Sequence, residues 1–377
     1  MKDYYDRTIV LISTGQSIYD DMVYFRYAKS LKKFCKDVYV VGVEDNYNLK
    51  DEEIHFCVLP KSKERIKRFV VNPLTIIHYL RRFKPNETVL FLFSLDMVFY
   101  GKYLIKKGFH VVQLYVENYP RKIMYKKWIP QHFRSVIAKI VASTQHQLGQ
   151  KCDANIFMDS LTMSEQGNEF RNKWLLPNYP IGEAFQTDYK SYDLPIKCVY
   201  VGSISADRGL LIMKDLIKKT SPLDITLTIY GNCLDETEQK ILYEFIKNHS
   251  NVFYKGSIPY TEILSSLRFY DLGLAFYVRT EAYSYNGENT TKLFEYMQAG
   301  LPVVTQDFPG LKQIIENEDN AGCCFNTDDP YWIDSFMNLV NNKTKLCEMA
   351  KNGKKAFITR RNWKCCEAEL NKLMRGL

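Results

Sequence analysis

Residues Thr8–Thr14 read TIVLIST, an apolar run without the alternation of a strand that has one wet face. A run of this kind is a strand buried on both sides, which calls for a parallel sheet covered by helices. It delivers Gly15-Gln16-Ser17, then a helical pattern from Asp20 to Phe34, then a second apolar run at Val38–Val43. Strand, glycine turn, helix, strand is a βαβ unit. Runs at Val89–Ser94, Val111–Val116 and Ile140–Ser143 predict further strands with helices between them, as in an open α/β sheet.

The alternation stops at Trp174–Pro180 (WLLPNYP), where two prolines and the polar segment Thr187–Asp193 mark a connection. It restarts at Cys198–Gly202 (CVYVG), which leads through the polar turn Ser203–Gly209 into a predicted helix, Leu210–Lys219. Leu227–Gly231, Asn251–Gly256 and Leu272–Tyr277 predict more strands. A helix beginning near Pro259 carries Ile263, Leu264 and Leu267, and the chain is mostly helical after Cys323. A length of 377 residues suits two domains. The expected fold is therefore α/β, with two Rossmann-like domains facing a cleft in which a ligand binds.

Composition removes several classes. No apolar run approaches the roughly 20 residues of a membrane helix, and the N-terminus lacks the apolar core of a secretory signal. Ten cysteines include no Cys-x-x-Cys pair, so they read as reduced thiols rather than zinc or redox ligands. These features predict a cytoplasmic protein. The net charge of +8 is concentrated in the first half. There Arg121–Lys139 interleaves Lys and Arg with Ile, Met, Tyr, Trp and Phe. That mixture suits an anionic membrane surface, the flank of a nucleic-acid groove, or a solvated helix face.

One stretch carries more chemistry than the rest. Asn286–Thr305 reads NGENTTKLFEYMQAGLPVVT, a polar loop entering a helix that stops at Gly300-Leu301-Pro302. Thr290 and Thr291 are helix-capping residue types, and a helix entrance offers amides and a positive dipole end to a phosphate. A dinucleotide fingerprint would need three glycines after the first strand; only Gly15 is present.

VYVGSISADRGL, LTIYG, FYKGSIP and above all TTKLFEYMQAGLPVV, followed by Pro309-Gly310 and Ile314-Ile315-Glu316, resemble the second domain of GT-B glycosyltransferases. The group resembled is the retaining glycosyl transferase group 1 family (family four). DMVYFRYAKSL at Asp21–Leu31 is similar to the first helix of that family, and LLPNYP to its link between domains. The resemblance implies an N-terminal acceptor-binding domain at 1–182 and a nucleotide-sugar-binding domain at 183–355. A C-terminal helix at 356–377, carrying Trp363, would cross back to the first domain. It implies transfer of a sugar from a nucleotide diphosphate sugar to a glycan or lipid-linked acceptor, in surface polysaccharide or glycolipid synthesis. Anomeric configuration would be retained without a clear protein nucleophile. The donor is a substrate, and neither a cofactor nor a metal ion is expected.

The same resemblance assigns residues. Arg208, ahead of Gly209, and Lys292 at the helix entrance would stabilise the departing diphosphate. Glu295 matches the glutamate that accepts from the ribose hydroxyls. Ser203 stands where the family has an arginine after Gly202, so one cation is missing. Eight positions before Glu295 the family has a second glutamate; here the residue is Gly287, with Glu288 one place out of register. Either Glu288 reaches the donor sugar or the backbone of Asn286–Asn289 does so. Glu117, in LYVENYP, falls where the family places a His or an acid near the reacting centre. Gly15, Gly202 and Thr291 complete the expected donor contacts. The expected partners are the nucleotide sugar, the acceptor and an anionic membrane at the inner face, with no nucleic acid. A non-catalytic sugar-binding protein of the same fold is the alternative.

Overall fold

The computed structural model describes every residue except 1–4, 45–50, 61–66, 127, 186–189, 281, 282 and 286. Asn286 and the 187–189 part of the expected connection therefore lie outside the described residues. The chain forms two units, Met1–Ile181 together with Trp363–Leu377, and Gly182–Asn362.

In the first unit β1 (Tyr5–Ser17) lies inside a parallel sheet, and Ile9, Val10, Leu11 and Ile12 are fully buried. Asp20 caps the segment that follows, accepting from the amides of Met22 and Val23. The expected single helix is instead π-helical over Asp21–Ala28 and passes into α1 (Lys29–Lys32). The wide turn holds the fully buried Arg26, which donates to the Tyr179 carbonyl at 2.6 Å and pairs with Asp21 at 2.8 Å. The chain continues through β2 (Cys35–Val43), β3 (His55–Leu59), α2 (Asn72–Leu80), β4 (Thr88–Leu92), α3 (Leu95–Lys106) and β5 (His110–Tyr115). Then come α4 (Tyr119–Ile123), α5 (Gln131–Gly149), β6 (Ala154–Phe157), α6 (Ser160–Gln166) and β7 (Lys173–Leu175). The strand order is β3-β2-β1-β4-β5-β6-β7. α2, α3 and α5 share one core with one sheet face, through Ile76, Met97, Leu104 and Leu148 against Val10 and Leu90.

The strand expected at Ile140–Ser143 is absent; those residues lie inside α5. Ala138, Val141, Gln145 and Leu148 are its buried positions, at helical spacing, whereas Ile140 is 52% exposed. The strand of this region is β6, whose Asn155 breaks the apolar run. Asn155 is buried because its amide donates to the Gly149 carbonyl at 2.8 Å.

The second unit repeats the plan with β8 (Ile196–Val201), α7 (Leu210–Lys219), β9 (Ile225–Tyr230), α8 (Glu236–Asn248), β10 (Val252–Gly256), α9 (Tyr260–Leu267) and β11 (Leu272–Ala275). α10 (Thr291–Gln298), β12 (Val303–Gln306), α11 (Pro309–Lys312), β13 (Gly322–Phe325), α12 (Trp332–Val340) and α13 (Lys343–Thr359) follow. All pairs are parallel, in the order β10-β9-β8-β11-β12-β13. The chain leaves β8 toward β9 on one side and returns to pair β11 on the other. That reversal opens a crevice at the carboxyl ends of β8 and β11.

α14 (Trp363–Gly376) belongs to the first unit. Its Trp363 indole donates to Ser30 Oγ at 2.8 Å and lies 5.0 Å from the Tyr27 ring, and Glu367 pairs with Lys33 at 2.7 Å. The passage between units falls later than the expected 355/356 boundary, because Ala356 and Phe357 are buried in α13 of the second unit. Arg360 and Arg361 then fasten that end by donating to Asp319 at 3.0 and 2.9 Å. The first boundary falls after Ile181, one residue before the expected 182.

Candidate active site

Gly202 follows β8 with φ 134°, and a methyl group there would come 2.9 Å from Lys292 Nζ. The glycine thus leaves room for the lysine head at the end of the strand. Gly231, which ends β9, has φ 139°, and a Cβ there would stand 1.8 Å from the Gly202 carbonyl oxygen. The two loops touch backbone to backbone, and only glycine fits.

Lys292 arrives from α10. Four residues on, Tyr296 pins this helix to the sheet. Its hydroxyl accepts from the Val201 amide at 3.1 Å and donates to the Leu274 carbonyl at 3.0 Å. It therefore bridges β8 and β11 at the point where the chain reverses. Residues four apart share a helix face, so the same anchoring aims Lys292 at the crevice. Its Nζ lies 3.9 Å from the centre of the Tyr200 ring and 5.8 Å from that of Tyr277. Lys292 is only 8% exposed, and its Nζ has no hydrogen-bond partner among the described residues. Burial, and then the charge of Arg208, push its ammonium down to about 7, with Glu295 acting the other way.

Arg208 ends the tight turn Ala206–Arg208, where Ser205 Oγ accepts from its amide at 3.2 Å. Gly209 then starts α7 at φ 84°; a Cβ would meet Phe276 Cβ at 2.6 Å and its carbonyl oxygen at 2.9 Å. The Arg208 guanidinium interacts with Tyr277, Tyr200 and Tyr283, hydrogen bonding to the last. The Tyr277 and Tyr283 rings stack 5.4 Å apart. Two cations thus share an aromatic-walled crevice with the buried carboxyl of Glu295. Two such cations can hold an anion between strand ends and helix entrance.

The structure brings Gly202, Arg208, Lys292 and Glu295 together, with half-buried Thr291 as the first residue of α10. Thr290 occupies the cap position, but its hydroxyl makes no capping bond; it hydrogen bonds to Tyr277 instead. Glu288 lies in the turn closed by the Thr290 amide on the Gly287 carbonyl at 2.9 Å, and is half buried. Ser203 is exposed, and its carbonyl accepts from the Tyr200 hydroxyl at 2.7 Å.

Gly15 and Glu117 belong to the first unit. Gly15 is exposed on the irregular stretch between Ile12 and Ser17, where β1 shifts register on β2. Beside it the Thr14 amide donates to Ser94 Oγ at 2.9 Å, and the Thr14 hydroxyl bonds to Asp96. Glu117, just past β5, pairs with Lys122 at 2.5 Å, while its neighbour Asn118 caps α4.

Tyr200, Tyr277, Tyr283 and Tyr296 were not foreseen from the sequence. Two of them carried a signal: Tyr200 and Tyr277 sit near the ends of the two strands that flank the reversal. Among the described residues no group of three or more His, Cys, Asp or Glu could hold a metal ion. No described helix is long and apolar enough to cross a membrane.

Residues 183–356 match the family model described as Glycosyl transferases group 1. The match takes in nearly all of the second unit, Gly182–Asn362. The match spans β8 to α13 and contains Gly202, Arg208, Lys292 and Glu295. Comparison with curated proteins finds no match. Among solved structures, Anabaena HepE in complex with UDP and glucose superposes with a TM-score of 0.73 at 13% identity, over 98% of this chain and all of that one. Sucrose-phosphate synthase from Thermosynechococcus elongatus gives 0.74 at 14% identity, over 98% of each chain. WaaG, a glycosyltransferase involved in lipopolysaccharide biosynthesis, gives 0.68 at 13%, over 97% of this chain and 99% of that one. These likenesses establish the fold as GT-B, two parallel-sheet α/β domains in one chain.

Proposed function

We propose that the chain transfers a sugar from a nucleoside diphosphate sugar to a glycan or lipid-linked acceptor, with retention of configuration. The observation that carries this reading is Lys292, a buried cation without a hydrogen-bond partner among the described residues, set beside Arg208 in the segment that matches the group 1 model. A diphosphate leaving group brings the negative charge that such a pair lacks. As the glycosidic bond to the diphosphate breaks, charge grows on the leaving oxygen, and Arg208 and Lys292 stabilise it. Glu295 holds the ribose hydroxyls. Orientation and leaving-group stabilisation supply the rate, and no protein nucleophile is invoked.

HepE binds UDP and glucose, so uridine diphosphate sugars are the first donors to test. WaaG is involved in lipopolysaccharide biosynthesis, which supports an acceptor in polysaccharide or glycolipid synthesis at the inner face of a membrane. A thermal-shift panel of nucleoside diphosphates and their sugars tests the donor site directly. A rise in midpoint with one nucleoside diphosphate, lost in Lys292→Met with Arg208→Ala, supports the reading; no shift with any of them refutes it.

A second reading is favoured by Ser203, which supplies no charge where the family has an arginine. On that reading the unit binds a nucleotide sugar without turning it over. Tight binding, with no release of nucleoside diphosphate in the presence of lipid and glycan acceptors, would select it.

A further inference from the structure

The outer surface of the first unit is unusual in its composition. α2, α3 and α5 bury one face in a common core, and their opposite faces carry large apolar side chains. On α5 these are Phe133, Val136 and Ile140, at spacings of three and four and each more than half exposed. α3 adds Phe99 and Tyr103, one turn apart, and α2 adds Leu74. The link between α4 and α5 adds Trp128, 52% exposed, with Met124 and Tyr125 beside it. The residues on either side of it are held in place. Ile123 and Ile129 are buried against Ala138 and Val141, and Arg134 donates to the carbonyls of Ile129 and Met124 at 2.8 and 3.2 Å. α3 packs on both α2 and α5, so this layer of exposed apolar groups is carried by adjoining helices.

Charge says what covers it. Between Leu95 and Gly149 there are nine lysines and arginines against two acids, Asp96 and Glu117. Asp96 is buried, and Glu117 is neutralised by Lys122. The layer thus presents apolar groups interleaved with cations such as Lys102, Lys106 and Lys139, and almost no uncompensated negative charge. A protein partner would have to supply an apolar face with acids scattered through it. A bilayer containing anionic lipids supplies both properties, phosphate groups for the cations and an acyl boundary for the apolar tips.

We propose that the outer faces of α2, α3 and α5, with Met124, Tyr125 and Trp128, form the seat of this protein on an anionic lipid bilayer. The side chains of Phe133, Val136, Ile140 and Trp128 insert below the headgroups. This deepens the proposed function by assigning the membrane partner to a named surface, and rests on that reading only for its purpose. Binding is measurable without turnover, and the nucleotide site lies in the other unit, so the two can fail separately.

The test is partition of the full chain onto phosphatidylcholine vesicles with and without phosphatidylglycerol, for wild type and for Phe133→Ser/Val136→Ser/Ile140→Ser. All three replaced residues are exposed, and an unchanged circular dichroism spectrum and thermal midpoint check that the variant remains folded. The wild type should bind only the anionic vesicles and retain part of its binding in high salt, because insertion is not screened. The triple variant should lose at least about tenfold in partition. Trp128 emission should shift to the blue and be quenched by lipids brominated in their acyl chains, a signal absent from Trp128→Phe. The proposal is overturned by no binding to anionic vesicles, by unchanged partition of the triple variant, or by unquenched Trp128. A dimer in sedimentation that the triple variant dissolves would overturn it in favour of a second copy.

Discussion

The Lys292 ammonium lies 3.9 Å from the centre of the Tyr200 ring, and that ring face takes the place of a hydrogen-bond acceptor, which the ammonium lacks among the described residues. A cation over an aromatic face is stabilised by roughly 0.5–2 kcal/mol, far less than burying an unpaired ammonium costs. The charged form therefore stands at a deficit until an anion arrives, and the empty site gives up the proton readily.

Proton uptake on binding follows from that deficit. Lys292 titrates near 7 rather than at the ordinary 10.5, so above pH 7 it is mostly neutral in the empty protein. A bound diphosphate restores the positive form. Calorimetry at pH 8 in buffers of different ionisation heat should show a proton taken up per nucleoside diphosphate, and none in Lys292→Met. Equal heats in all buffers for the wild type would rule this out.

The same depression makes a stability prediction. Between about 7 and 10.5 the unfolded chain holds a proton that the folded chain lacks, so this group raises stability as pH rises through that window. Replacing it by methionine removes the buried charge. Lys292→Met should raise the midpoint of the empty protein at pH 6.5 by roughly 2–4 °C, for about 1 kcal/mol, and should lose nucleotide-dependent stabilisation. A lowered midpoint would show that the ammonium has an unrecognised partner.

Arg208 and Glu295 should separate by which part of the ligand they serve. Arg208→Ala should lower kcat/KM by roughly 10²–10³ through lost charge stabilisation. Glu295→Gln should weaken a nucleoside diphosphate by roughly ten- to hundredfold while leaving inorganic pyrophosphate unchanged. If pyrophosphate weakens equally, Glu295 acts on the cations rather than on the ribose.

Gly231→Ala tests the backbone contact beneath the site. A Cβ at that position would stand 1.8 Å from the Gly202 carbonyl oxygen, at a φ of 139° that resists a side chain. The chain must move, at a cost of at least about 1–3 kcal/mol. Denaturant titration should register the loss, and nucleotide affinity should fall with it because Gly202 borders the Lys292 head. Unaltered affinity would separate that loop from the ligand.

Trp363→Ala should cost about 3–5 kcal/mol in the first unit, whose Tyr27 and Ser30 it covers. Hydrogen exchange should show the loss on α1 and β1 rather than on β8 or β11.

Legibility differed between residues for identifiable reasons. Strands such as β1 and β4 were readable because both faces are buried, which forces an unbroken apolar run. β6 escaped because Asn155 is satisfied by a backbone carbonyl that no local pattern reveals. Ile140–Ser143 misled because the apolar Ile140 faces outward, where a spacing argument assumes burial. In the candidate site, Arg208, Lys292 and Glu295 were legible through the motif that surrounds them. The tyrosines were not, because their partners are remote in sequence: Tyr296 reaches Val201, and Tyr200 reaches Lys292. The missing cap of Thr290 was equally hidden, since its choice of Tyr277 over the helix amides depends on the packed crevice.

The second unit is an uninterrupted segment, Gly182–Asn362, whereas the first is completed only by Trp363–Leu377. During synthesis the ribosome therefore finishes the later unit before the earlier one has all its parts. The first unit waits through some 180 further residues with the surface around Tyr27 and Ser30 uncovered. A released chain that ends at Asn362 should then expose a chaperone-binding apolar face on the first unit, while the second unit is already protease-resistant.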